Sequence, residues 1–190
     1  PHLCIDPIIA GTHLVNQFQT ITSRTIDPLD SAVLTIGEFH GGTAENIIPE
    51  EAVLNGTLRT HAPEVRAKAV TRIEEMVKSL ELRFGVSTTL ENIEGYPTHV
   101  NDTEILDHIK SCARDILGTG GVQIGRPSMG AEDFSFFCQK WPGAMVGFGC
   151  HDPAKGFEFA LHSPHFDMDE RVLDVSVQLM GETLVRFIEK

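Results

Sequence analysis

Gly41-Gly42-Thr43-Ala44-Glu45-Asn46-Ile47-Ile48-Pro49 runs directly into Glu50-Glu51-Ala52-Val53-Leu54-Asn55-Gly56-Thr57-Leu58-Arg59-Thr60. From Val53 onward Leu54, Gly56 and Leu58 alternate with Val53, Asn55, Thr57 and Arg59. A period of two puts the first set on an apolar face and leaves the second face mostly polar, so residues 50–60 read as a half-buried strand. Residues 31–40 read as the strand before it.

Helical patterns flank these strands. Asp6-Pro7 places a cap and an early helical proline before Ile8, Ile9, Leu14, Val15, Phe18 and Ile21, and Asp27-Pro28 breaks that helix. On the other side Ala62-Pro63-Glu64 opens a helix carrying Val65, Ala69, Ile73, Met76, Val77 and Leu80; Gly85 ends it. Residues 86–94 read as a Thr-rich strand. The order α-β-β-α-β is that of a ferredoxin-like βαββαβ sandwich lacking its first strand. In the common arrangement that strand is internal, so its neighbours are expected to have unpaired edges unless another segment fills the gap.

Gly95-Tyr96-Pro97 marks a boundary and a hinge. Beyond it residues 101–117 read as a helix with Ile105, Leu106, Ile109, Ala113 and Ile116 on one face. Residues 132–140 read as a short helix and 144–149 as a strand of small residues. A long helix over 169–188 closes the chain, with Val172, Leu173, Val177, Met180, Leu184 and Ile188 as its stripe. The expected organisation is α/β, with domains 1–94 and 95–190.

Composition narrows the function classes. With 190 residues, 41% hydrophobic and 22% charged, the chain is that of a soluble globular protein. A net charge of −12 argues against nucleic acid and anionic membrane as partners, since both need a basic patch. Cys4, Cys112, Cys138 and Cys150 show no CxxC spacing and are too sparse for a disulfide framework, which points to reduced thiols in a cytoplasmic protein. No apolar run approaches a membrane span, and the N-terminus lacks a signal-peptide pattern. Starting on Pro1, the chain reads as cut from within a longer one.

The other informative stretch is Leu161-His162-Ser163-Pro164-His165-Phe166-Asp167-Met168-Asp169-Glu170, a histidine in a Ser/Pro loop followed by an acidic run that opens a helix. Taken with Pro1-His2-Leu3 through Asp6-Pro7, His40 through Pro49, Gly56-Thr57-Leu58-Arg59 and Met129-Gly130-Ala131-Glu132-Asp133-Phe134, it carries a family resemblance. The chain resembles the C-terminal part of dinuclear-metal aminoacylases and carboxypeptidases. Within them it is similar to hippurate hydrolase and the indole-acetyl-amino-acid hydrolases, which are N-acyl-amino-acid amidohydrolases. The segments lie in family order and span nearly the whole chain.

That resemblance implies a lid and dimerisation domain over 1–94. It implies the last part of a zinc-exopeptidase-like α/β catalytic domain over 95–190. The complete protein is expected to bind two divalent metal ions, Zn or Mn, and to form a homodimer through the lid. Its expected substrate is a small N-acyl amino acid or peptide, cleaved at the amide bond by metal-activated water. The general base and most metal ligands are expected upstream, so no catalytic residue is assigned here and the metal site is expected to be incomplete. A second reading, of another class, is a dimerisation and assembly module with no turnover of its own.

By the same resemblance His162 is a metal ligand, a role that suits neutral imidazole. His165 is read as its neighbour and not a ligand. Asn46 and Arg59 correspond to substrate-binding residues of the lid. The guanidinium matches a carboxylate in bidentate geometry, and the Asn amide can donate to a carboxylate or an oxyanion. A turn Asn and a solvated strand Arg are the plain alternatives. Gly130 and Ala131 precede a helix start whose N–H groups attract anions and are candidate contacts for the substrate carboxylate, and Glu132 and Asp133 read as caps of that helix or as residues that orient a neighbour. His40 and His2 are candidates for the site edge. Other chemistries lack their motifs. There is no GxSxG, the Gly118–Gly125 loop has neither GxGxxG spacing nor a P-loop Lys, and the adjacent Cys150-His151 pair is no dyad.

Overall fold

The computed structural model describes residues 1–189. They form two compact units, Pro1–Thr98 with Ser128–Ala131, and His99–Pro127 with Glu132 onward.

In the first unit Asp6 caps helix α1 (Pro7–Thr20): its carboxylate accepts from the N–H groups of Ile8 and Ile9 at 2.9 and 3.3 Å. Pro7 has no N–H to satisfy, so two of the three remaining orphan donors at the helix start are thereby satisfied. The helix runs on through a π turn, Ile21–Thr25, with Ile21 fully buried, and stops before Asp27-Pro28. Strands β1 (Ala32–Gly41) and β2 (Ala52–Thr60) pair antiparallel, from Ala32 opposite Thr60 to Gly41 opposite Ala52, with Val33 opposite Arg59. The register shifts between Ile36 and Glu38, a bulge that returns Phe39 to the helix side. Helix α2 (Pro63–Phe84) has proline at its start and Gly85 in the left-handed conformation at its end.

The core lies between these helices and one face of the hairpin. Leu14, Phe18, Ile21, Ile26, Val65, Ala69, Met76, Val77 and Leu80 are buried, and Ala32, Leu34, Ile36 and Leu58 pack on them. Gly11 is what lets α1 approach the strands: a Cβ there would sit 2.8 Å from Phe39 Cζ and 3.3 Å from a Leu54 methyl.

In the second unit Asp102 caps α3 (Thr103–Leu117) by accepting from the Ile105 N–H at 3.0 Å. The short α4 (Phe134–Cys138) and the long α5 (Arg171–Ile188) follow. Ile109, Cys112, Ala113 and Leu179 form the buried centre, with Ile105, Ile116, Val122, Ala144, Val146 and Phe148 against it.

Three expectations need correction. Residues 86–94 and 144–149 are not strands among the described residues, where the sheet has only β1 and β2. A strand exists by its ladder, and neither segment finds a partner. Both keep the placement of one: Val86 reaches the first core, Ala144, Val146 and Phe148 alternate onto the second, and Thr88 is tied to α2 by its N–H and Oγ1 on Glu81. In α5 the predicted stripe is the wrong face. Leu173, Val177, Met180, Leu184 and Ile188 are exposed, while Leu179 is buried. The helix is apolar on more than one side, and periodicity alone cannot choose between them.

Candidate functional site

Arg59 lies near the end of β2, opposite Val33, on the hairpin face turned away from the helices. Its Nη1 donates to the main-chain carbonyl of Met129 at 2.6 Å. Next to it, His61 Nε2–H donates to the Ser128 carbonyl at 3.1 Å, which assigns the proton to Nε2. The four residues Ser128–Ala131 thus belong to the first unit although the chain on either side of them belongs to the second. Among the described residues no carboxylate pairs with Arg59, and its other guanidinium N–H groups have no protein acceptor. A guanidinium held by one N–H has further donors with which it can meet a carboxylate.

Gly130 follows Met129 directly, so the structure brings Arg59 and Gly130 together. The Gly130 N–H accepts no helix-end role. It donates to Ser128 Oγ at 3.0 Å, because α4 starts at Phe134 and not at Glu132. Glu132 does serve that helix: its carboxylate accepts from the Phe134 N–H at 3.4 Å and its carbonyl from Ser135. Ser128 and His61, absent from the sequence reading, are what fix this strap. The Ser-x-Gly turn was the available signal; for His61 there was none.

Asn46 is not brought to Arg59. It sits in the loop joining Gly41 to Ala52, at the opposite end of the ladder. Arg59 lies seven positions along β2 from Ala52, about 23 Å at strand spacing. His40 is at the Asn46 end, opposite Val53, with Nε2 3.6 Å from Glu38; the same Glu38 oxygen accepts from Asn55 Nδ2 at 2.8 Å. His2 is exposed in the N-terminal turn, away from any of these contacts.

His162 is an exposed residue of the second unit, in a turn closed by the Ser163 N–H on the Ala160 carbonyl at 3.2 Å. It has φ +69°, the sole non-glycine residue with positive φ among the described ones. Backbone of that kind is costly for a side chain and recurs at functional positions. Among the described residues its ring has no hydrogen-bond partner. As a single ligand it fits a divalent metal. Beyond it the fit ends: among the described residues no three His, Cys, Asp or Glu side chains gather as a metal site. The His165 ring lies 5.3 Å from the Phe159 ring, a packing role.

The signature of peptidase family M20/M25/M40 matches residues 8–186. The chain is 37% identical over 180 residues to an N-acetyldiaminopimelate deacetylase of Bacillus pumilus, covering 95% of this chain and 46% of that protein. Its fold matches a protein of methicillin-resistant Staphylococcus aureus with a TM-score of 0.85 and 28% identity, over 98% of this chain and 48% of the other. A Bacillus subtilis protein described as a dinuclear metal binding peptidase matches with a TM-score of 0.77 and 26% identity, over 98% of this chain and 47% of the other. The chain spans about half the length of the curated relatives it matches.

Proposed function

The chain belongs to peptidase family M20/M25/M40, and on that premise we propose that it is part of a metal-dependent amidohydrolase that cleaves N-acyl amino acids or small peptides. The observation that carries this reading is Arg59: a guanidinium with no carboxylate partner among the described residues, tied by one N–H to the strap that bears Gly130. Every N-acyl amino acid ends in a carboxylate, and that group suits this receptor. Arg59 binds and orients it, and Gly130 and Ala131, on the strap that Arg59 holds, line the same site.

The first unit is read as the lid and the second as the last part of the catalytic domain. His162 holds one of two metal ions, Zn or Mn. The other ligands and the general base belong to the part of the relatives' length that residues 1–190 do not match. The metals, when bound, activate water for attack on the amide carbon. Residues 1–190 alone are expected to be inactive.

The separation of Asn46 from Arg59 favours a homodimer through the lid. One small carboxylate cannot meet both ends of a ladder about 23 Å long. Asn46, with His40 near it, therefore serves the site of a second copy. Assembly without turnover is the lesser reading, because an unpaired Arg clamp has no use in it. The four free thiols favour a cytoplasmic protein.

The test is hydrolysis by the full-length protein of a panel of N-acyl amino acids and of their C-terminal amides, with Zn²⁺ or Mn²⁺ present. The acids are expected to be cleaved and the amides to be poor. Turnover of neither class, or equal turnover of both, contradicts the reading.

A further inference from the structure

The turn that carries His162 lies within a loop, Cys150–Asp169, whose ends meet. The Asp169 N–H donates to the Cys150 carbonyl at 3.4 Å. Asp152 and Phe157 exchange both main-chain bonds, at 2.9 and 3.0 Å, and so close a tight turn that presents Lys155. Lys155 Nζ reaches Asp169 Oδ2 at 2.9 Å and Asp152 Oδ2 at 3.4 Å. Asp169 Oδ1 accepts from the Arg171 N–H at 3.1 Å and from Arg171 Nε at 2.9 Å, and Arg171 Nη2 donates to Oδ2. The Asp169 carbonyl also accepts from the Val172 N–H at 3.0 Å, in the first turn of α5.

One carboxylate, its side chain 14% exposed, thus joins three things: the start of α5, the Lys155 turn and the end of the loop. Arg171 first and Lys155 second hold its carboxyl well below the usual carboxylate range, while Asp169 pushes Lys155 up. Between the pinned ends, the turns at Ala160–Ser163 and Ser163–Phe166 follow one another, and the Phe159 and His165 rings pack together across them in sequence, 5.3 Å apart. His162 lies within the first of these turns, in its left-handed conformation.

We propose that Asp169 is the positioning residue for His162: by closing the Cys150–Asp169 loop it holds the strained turn that presents the imidazole. The inference rests on His162 being a metal ligand. A loop already ordered does not spend ordering entropy when its ligand binds metal; a loop opened at its base does. Lys155 acts through Asp169 in the same way.

The test is Zn²⁺ affinity of the full-length protein, measured by competition with a chromophoric chelator, alongside the thermal midpoint of the metal-free form. Variants are His162→Ala, Asp169→Ala, Asp169→Asn and Lys155→Met. Asp169→Ala is expected to weaken Zn²⁺ binding roughly 10–100-fold, the range for partners that orient a ligand. Asp169→Asn keeps an acceptor for the Arg171 N–H and loses the ion pairs, so it falls between wild type and Ala. Lys155→Met leaves the start of α5 intact and decides the matter should Asp169→Ala misfold. Affinity that falls in Lys155→Met while the midpoint holds supports positioning. Unchanged affinity in Asp169→Ala and Lys155→Met, with His162→Ala weakened, overturns the inference and leaves the ligand standing. Unchanged affinity in His162→Ala overturns both.

Discussion

Arg59 Nη1 donates to the main-chain carbonyl of Met129 at 2.6 Å, across 70 positions of sequence. This bond fixes where the guanidinium stands and leaves its other donors free. Arg59→Ala in the full-length protein should therefore lower kcat/KM on N-acyl amino acids by roughly 2–4 kcal/mol. C-terminally amidated substrates should lose little, since the partner charge is gone. Arg59→Lys should recover only part, because an ammonium cannot bind bidentately. Equal losses on acid and amide substrates would argue against the clamp.

Asn46 and Arg59 stand at opposite ends of the hairpin, the first beyond Gly41 and Ala52, the second opposite Val33. If each serves a different copy's site, subunits bearing Asn46→Ala and subunits bearing Arg59→Ala should complement. A mixed dimer then has one site with both native residues, while each homodimer has none. Activity regained on refolding the two variants together is the expected outcome. No recovery in mixtures shown to contain heterodimer would place both residues on one site.

His162 holds a φ of +69°, where a side chain is strained and glycine is not. His162→Gly should thus be more stable than His162→Ala, by about 1 kcal/mol. Both should lose metal affinity alike. Thermal midpoints of the two metal-free variants check this: equal midpoints would mean that the turn relaxes without cost.

Acid sensitivity should concentrate at Asp169. Arg171 and Lys155 depress its folded pKa below the ordinary value of 3.8. An acid depressed on folding adds stability above its unfolded pKa and loses it as pH falls toward the folded one. The wild type's advantage in thermal midpoint over Asp169→Asn should be constant above about pH 5 and shrink from about pH 4 downward. An advantage that grew on acidification would contradict the ion-pair assignment.

Much of this was legible in the residues, and the reasons are particular. Val65, Ala69, Met76, Val77 and Leu80 of α2 are buried as their spacing predicts, because the rest of that helix is mostly charged or polar. β2 keeps one phase of alternation on either side of the exposed Gly56, so Arg59 had one face to occupy. The α5 stripe misled, since Leu179 and the exposed Leu173, Val177 and Leu184 are equally apolar. Residues 86–94 and 144–149 have strand composition, yet a ladder depends on a partner that composition does not reveal. The Lys155–Asp169 contact was illegible: the residues lie in a region without period, and folding alone brings them to 2.9 Å.

The central claim is that this chain carries the carboxylate clamp and one metal ligand of an amidohydrolase. It is tested most directly by turnover of an N-acyl amino acid by the full-length protein, wild type against His162→Ala, with the metal-bound fraction of each determined on the same samples. The account predicts metal-dependent release of the free amino acid by the wild type. It predicts a loss of roughly 100-fold or more in His162→Ala, with less metal bound and the fold intact. Near-normal turnover in His162→Ala, or wild-type protein that is loaded with metal and cleaves no member of an N-acyl amino acid panel, would contradict it.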